Sequence, residues 1–172
     1  MADISSFKSQ LAGGGARANQ FRCVINFPTT VNSGGAGSTA EFLCKAASIP
    51  ASTVANIEVM YRGRAVNFAG ERSFDPWTVT VYNDNDFILR NAFENWVDTI
   101  SNPNATGGLL LPSAYQTDLE VHQLDRNDQV LQSYSFKDAY PTSVSEIVLN
   151  WDQNNQIQEY SVTFQYNFHV KI

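Results

Sequence analysis

Only two histidines and two cysteines occur in this chain of 172 residues, and charged side chains make up just 16% of it. That scarcity removes most sources of chemistry at once. His122 and His169 both fall on the polar sides of alternating, strand-like segments. No H-E-x-x-H, cysteine cluster or regular aspartate spacing joins them, so no metal site is expected. Asn83-Asp84-Asn85-Asp86 has the look of a calcium loop but lacks its glycine and terminal glutamate, and reads better as a helix cap. There is no G-x-S-x-G for a nucleophile elbow, and Gly13-Gly14-Gly15 is not followed by the Lys-Ser/Thr of a phosphate loop. No pair of carboxylates is singled out either. Catalytic and metal-binding residues are therefore expected to be none, the protein is not expected to be an enzyme, and no cofactor is expected. Cys23 and Cys44 lie in apolar stretches without a C-x-x-C spacing and read as small core residues.

Long apolar runs are missing too. None approaches the ~18 residues of a membrane-spanning helix. The start, Met1-Ala2-Asp3-Ile4-Ser5, lacks the basic-then-apolar order of a signal peptide. Synthesis and folding in a cytosol are the expectation, and the Asn104-Ala105-Thr106 sequon then carries little meaning. Positive charge is in deficit: the net charge is −6, which disfavours tight binding to a nucleic-acid backbone. The deficit is uneven. Residues 1–72 hold seven basic and four acidic side chains, whereas residues 73–172 hold four and thirteen. Such a division is either incidental or marks the two ends of a subunit that stacks head to tail.

What the chain does have is β-pattern. From Tyr160 to Ile172, Tyr160, Val162, Phe164, Tyr166, Phe168, Val170 and Ile172 alternate with Ser161, Thr163, Gln165, Asn167, His169 and Lys171. Alternation of period two predicts one strand with an apolar and a polar face, about 40 Å long at ~3.3 Å per residue. Other strand segments are Phe21 to Phe27, Trp77 to Tyr82, Val144 to Trp151, and a pair, Leu119 to His122 and Val130 to Phe136, flanking the turn at Asp125-Arg126-Asn127-Asp128. Glu41 to Ile49 is a further apolar segment, and Asn32 to Thr39 is expected as an exposed loop. Ile57 to Phe68 reads as a hairpin turning at Arg62-Gly63, with a basic tip that on its own could equally be a solvated end. One helix stands out. Ile88, Leu89, Ala92, Phe93, Trp96, Val97 and Ile100 form an apolar stripe over about 86–100 that should pack on a sheet. The expected fold is mainly β: an antiparallel β-sandwich or small barrel with one flanking α-helix and a long C-terminal strand. Length predicts a single domain, 1–172, with a flexible N-terminal arm at about 1–20. On these grounds alone, a monomeric β-sandwich binding module fits as well as an assembly subunit.

Residues 45–100 separate the two readings. Lys45-Ala46-Ala47-Ser48-Ile49-Pro50 leads to Tyr61-Arg62-Gly63-Arg64 and then Ala69-Gly70-Glu71-Arg72-Ser73-Phe74. Trp77-Thr78-Val79-Thr80-Val81-Tyr82-Asn83-Asp84 and Asp86-Phe87-Ile88-Leu89-Arg90-Asn91-Ala92-Phe93-Glu94-Asn95-Trp96 follow. This combination resembles the tail tube proteins of contractile-tailed bacteriophages, relatives of the type VI secretion and tailocin tubes, over roughly residues 19–170.

The resemblance implies a structural virion protein of the phage tail, made and assembled in the host cytoplasm. Subunits form hexameric rings that stack into a hollow tube inside a contractile sheath. The partners implied are further copies of itself, the tail sheath protein, and the baseplate and tape-measure proteins. DNA passes through the bore without specific binding. The related alternative is the inner tube of a phage-like injection device. Under this reading Tyr61, Arg62, Gly63, Arg64 and Arg72 are the expected inter-subunit or inter-ring contacts. Ser161, Thr163, Gln165, Asn167 and His169 are the expected polar face of a ring-forming strand.

Overall fold

The computed structural model describes residues 3–11, 14–103 and 111–172. Gly13, the Asn104 sequon and the Gly107-Gly108-Leu109-Leu110 run lie outside them. The elements in order are α1 (Ile4–Gln10), β1 (Phe21–Ile25), α2 (Ala36–Leu43), β2 (Cys44–Ala47), β3 (Ser52–Tyr61), β4 (Arg64–Phe74), β5 (Trp77–Tyr82), α3 (Ile88–Ile100), β6 (Thr117–Leu124), β7 (Val130–Val144), β8 (Glu159–Gln165) and β9 (Phe168–Lys171).

Strands β1-β6-β7-β8-β5-β2 follow one another in hydrogen-bonded order, with β9 also on β7 and every pairing antiparallel. The fifteen-residue β7 is shared by two layers. Its first half pairs with β6 and β9, its second half with β8. The layers face each other through aromatics: Trp77 of β5 stacks on Phe136 of β7 at 4.3 Å, and Trp77 meets Phe164 of β8 at 5.8 Å. Alternation explains these choices directly, since Trp77, Val79 and Val81 on β5 and Tyr160, Val162 and Phe164 on β8 are all buried.

Helix α3 packs on β8. Leu89, Ala92, Phe93 and Trp96 are its buried residues, and both Phe93 and Trp96 lie 6.0 Å from the Phe164 ring. The Trp96 indole donates to the Tyr115 carbonyl at 2.8 Å, which allows it to be fully buried. The helix begins at Ile88 instead of about 86. Phe87 adopts a left-handed φ of 55°, and the Asp84 carboxylate accepts the Ile88 N–H at 3.3 Å, as a cap two residues upstream of where the stripe alone suggested.

The structure departs from two expectations and adds a helix to a third segment. First, Asn32–Thr39 is not simply a loop: α2 begins at Ala36 after Gly35, whose φ of 86° redirects the chain. Its small residues allow close packing on β1, with Ala36 and Ala40 buried, so composition that reads as loop serves here as a helix face. Second, the N-terminal arm carries a helix, α1, capped by Asp3, with Ile4, Phe7 and Leu11 exposed on it and after it. Third, Val144–Trp151 is not a strand. The ladder ends with Val144 opposite Val162, and residues 145–158 leave the sheet. Ser145 donates its N–H to Ser161 O at 2.8 Å, and its carbonyl accepts from the Arg90 guanidinium at 2.6 Å. The Asn150-to-Asn155 cluster then supplies turns, including Asn155 at φ 63°.

Candidate functional site: an unsupported ribbon, a polar sheet face and an apolar loop

Strands β3 and β4 form a sheet of their own, and among the described residues neither pairs with any other strand. The turn is set by local chemistry. Arg62 and Gly63 have φ of 48° and 80°, the left-handed pair that a two-residue hairpin connection requires. Register then sorts the side chains. Ile57 opposes Phe68, Val59 opposes Val66 and Tyr61 opposes Arg64, so these six share one face. Asn56, Glu58, Met60, Ala65, Asn67 and Ala69 make up the other, where Asn56 donates to Asn67 Oδ1 at 2.9 Å. Ile57, Val59, Tyr61, Val66 and Phe68 thus line up as an apolar stripe, each between 41% and 62% exposed. Every residue from Thr53 to Ala69 is exposed. Near the root the register shifts between Val54 and Asn56, and Gly70 faces the Ala55 carbonyl so closely that a Cβ would come within 2.9 Å of it.

Of the residues expected at contacts, Tyr61, Arg62, Gly63 and Arg64 are brought together at the tip, where the Arg62 guanidinium stands 5.4 Å over the Tyr61 ring. Arg72 is not with them. It sits at the root, opposite Val54, with its guanidinium 5.7 Å from the Phe74 ring.

The C-terminal strand is present but interrupted. Ser161, Thr163 and Gln165 do lie on one half-exposed face of β8, beside Thr78 and Thr80 of β5, with a Thr78–Thr163 hydroxyl contact of 3.1 Å. That face is almost free of charge. At Tyr166-Asn167 the ladder breaks. Asn167 donates its N–H to Lys137 O at 3.0 Å and its side-chain amide to Asp138 at 2.9 Å, while Asp138 itself takes φ 57°. Beyond the break the alternation has slipped by one residue, which sends each later side chain to the opposite face. Asn167 stands exposed at the corner. His169 is opposite Phe136 and lies among the rings of Phe74 (5.0 Å), Tyr166 (6.1 Å), Tyr134 (6.2 Å) and Phe136 (6.4 Å). The expected polar face therefore holds for three of its five residues, and His169 belongs to the joint between sheet and ribbon.

Burial and the nearby Arg72 cation hold the His169 imidazole below its ordinary value near 6.5. A lowered folded value means that the unfolded chain accepts a proton that the folded chain resists. This contribution to stability is full above the unfolded value and is lost as pH falls through the folded one. The chemical-denaturation midpoint should therefore drop between pH 7.5 and pH 5 more steeply in the native sequence than in His169→Phe. Parallel pH profiles would refute the assignment.

The 145–158 segment was not singled out by its sequence pattern. Val148, Leu149, Trp151 and Ile157 project from it, Trp151 fully exposed, beside a groove of about 940 Å³. Its ends are anchored: Asn83 N–H donates to Gln158 O at 2.9 Å, and the Asn83 amide to the Gln158 side chain at 3.0 Å. The usable signal was Asp152-Gln153-Asn154-Asn155 after Trp151, a run poor in strand formers.

Among the described residues, no three His, Cys, Asp or Glu side chains come together as a metal site, and no helix is long and apolar enough to cross a membrane. Cys23 and Cys44 are free, and their mutual hydrogen bond together with burial pushes the Cys23 thiol up. The chain as a whole has counterparts among known proteins. Residues 16–172 match the family model for phage tail tube proteins. Tail tube protein gp19 of Enterobacteria phage T4 is 35% identical over 160 residues, 91% of this chain and 92% of gp19. Among solved structures, the chain superposes on a protein of the anti-feeding prophage tube-terminating cap with a TM-score of 0.65 at 15% identity, covering 91% of this chain and 90% of that one. It also superposes on one from the sheath-tube complex of an extracellular contractile injection system, at 0.56 and 13% identity over 100% and 99%. The two structures share the fold, while the sequence matches span nearly the whole chain: it belongs to the phage tail tube family, as a structural component of the virion tail and not an enzyme.

Proposed function

We propose that this chain acts as a single tail-tube domain with an N-terminal arm. Six copies form a ring, and the rings stack into a hollow tube through which DNA leaves the capsid. The observation that carries this is the ribbon: a ten-residue and an eleven-residue strand extend beyond the core with an exposed stripe of five apolar side chains, and among the described residues they pair with no other strand. An isolated two-stranded ribbon is marginal in water, and an exposed apolar stripe of this length is a binding surface for another subunit. The Ser161-Thr163-Gln165 face with Thr78 and Thr80 suits a water-filled bore, because hydroxyls and amides hydrate without gripping phosphates. The net charge of −6 repels the DNA backbone and lets it slide. The structurally similar injection-system protein occurs in a sheath-tube complex, and by analogy a sheath protein surrounds this tube, which begins at a baseplate and encloses a tape-measure protein.

The test is Arg62→Glu with Arg64→Glu, followed by electron microscopy of the assembled material. Both side chains are exposed, so the subunit should fold and melt as before. Placing like charges at a contact costs several kcal/mol, and assembly should fall at least tenfold. Normal tubes of normal length would exclude the ribbon tip as a contact.

A further inference from the structure

We propose that the groove beneath residues 145–158 of one copy is the socket for the ribbon tip of the next copy. This rests on the stacked-tube reading and names the surface that such stacking would use.

The first argument is placement. Ribbon and loop leave the β5–β8 layer at opposite ends. Strand β4 runs into Trp77, which opposes Phe164, whereas Tyr82 at the other end of β5 opposes Glu159, where the loop rejoins the sheet. The loop also departs from that second end, since Val144 opposes Val162. A strand of six residues at ~3.3 Å each puts close to 20 Å between the two. A projection at one pole and a recess at the other make a heterologous contact, which repeats from copy to copy and builds an open filament where its rotation does not close.

The second argument is chemistry. The tip offers Arg62 and Arg64 beside Tyr61 and the apolar stripe. The socket offers Val148, Leu149, Trp151 and Ile157 for the stripe and Glu146 for the arginines; Asp152, exposed on the same loop beside Trp151, adds a second negative charge at its rim. Glu159, the other carboxylate lining the groove, already pairs with Lys45. Among the described residues, neither tip arginine forms an ion pair within its own chain. The groove volume of about 940 Å³ is at the upper end of what side-chain-sized ligands occupy, enough for the tip of a ribbon. Apolar surface set beside unpaired opposite charge on complementary ends of one chain selects a second copy as the occupant.

The experiment is a charge swap. Glu146→Arg with Asp152→Arg, made alone, leaves tip and socket both positive and should cut tube yield at least tenfold, as Arg62→Glu with Arg64→Glu does. Combining all four substitutions restores opposite signs and should recover tubes to within about threefold of the native chain. Failure of the four-fold variant to assemble while remaining folded overturns the pairing, as does normal assembly of the Glu146→Arg/Asp152→Arg chain. A second measurement does not depend on these variants folding. A photo-crosslinker placed at Trp151, whose side chain is fully exposed, should capture residues 57–68 of another copy in assembled tubes. Capture of the sheath protein, of its own chain or of another surface overturns the proposal. If the native chain forms tubes and these tests fail, only the socket is wrong; if the native chain forms no tubes, the stacked-tube reading itself fails.

Discussion

Trp77→Ala is expected to lower the stability of the folded subunit by about 3–5 kcal/mol, the cost of removing a large aromatic from a packed core. For a domain of this size that corresponds to a melting temperature lower by roughly 10 °C. The side chain is 1% exposed, stacked at 4.3 Å on Phe136 of the facing layer and tilted at 5.8 Å against Phe164 of its own. Its indole N–H donates to the Ser48 carbonyl at 2.8 Å, on the connection that leads into the ribbon. Alanine would leave a cavity between the two sheets and remove the hydrogen bond to the Ser48 carbonyl. Trp77→Phe should recover most of the packing but not the hydrogen bond, and so fall about 1–3 kcal/mol below the native protein. Trp151→Ala is the internal control. That indole is fully exposed in the free subunit, and its loss should shift the monomer's melting temperature by less than about 1 °C. A Trp77→Ala shift below about 3 °C in thermal unfolding would mean that the layers are not held together through this residue.

The reason that Trp77 was legible in advance, while other features were not, lies in the range of the forces involved. Trp77-Thr78-Val79-Thr80-Val81-Tyr82 alternates, the α3 stripe repeats at helical spacing, and Arg62-Gly63 demands a particular turn. Each is a property of neighbouring residues, and each formed as read. The break at Tyr166-Asn167 was invisible because its cause lies across the ladder, in Asp138 of β7 at φ 57°, whereas the local alternation continues unbroken through Ile172. His169 was consequently placed on the wrong face. Residues 144–151 misled for a different reason. Ile147, Val148, Leu149 and Trp151 have strand composition, but apart from the half-buried Ile147 they are largely exposed and stand outside the core. A sequence under selection to bind another subunit carries apolar residues that the rule of hydrophobic burial assigns to the core. The same ambiguity affected the candidate contacts. Turn chemistry placed Tyr61 to Arg64 at one point in space, but Arg72 could be assigned to the root only once the register of β3 against β4 was known.

The ribbon gives the clearest separation of folding from assembly. Replacing residues 57–68 by Asn-Gly would join Asn56 directly to Ala69, which already face each other across the ladder and so accept a two-residue turn. The shortened subunit should melt within about 2 °C of the native one, because no residue between Thr53 and Ala69 is buried and, among the described residues, the ribbon pairs with no other strand. It should form no tubes at any concentration. The magnitude follows from the exposed stripe. Ile57, Val59, Tyr61, Val66 and Phe68 each have about half their surface still in water. At ~1.5–3 kcal/mol for complete burial of such a side chain, covering the remainder is worth about 4–7 kcal/mol per contact. A single association event loses some 4–15 kcal/mol of translational and rotational freedom, so one ribbon in one partner does not hold a stable dimer. Repeated around a ring, the same contact is made many times for one loss of freedom, and the association becomes strong and cooperative. Dilute native protein should therefore be monomeric by light scattering and pass to tubes with few intermediates, whereas the shortened chain stays monomeric throughout. A folded, ribbonless chain that still built tubes would show that the rings are held elsewhere. A ribbonless chain that failed to fold would show that the stripe is covered by its own subunit in solution.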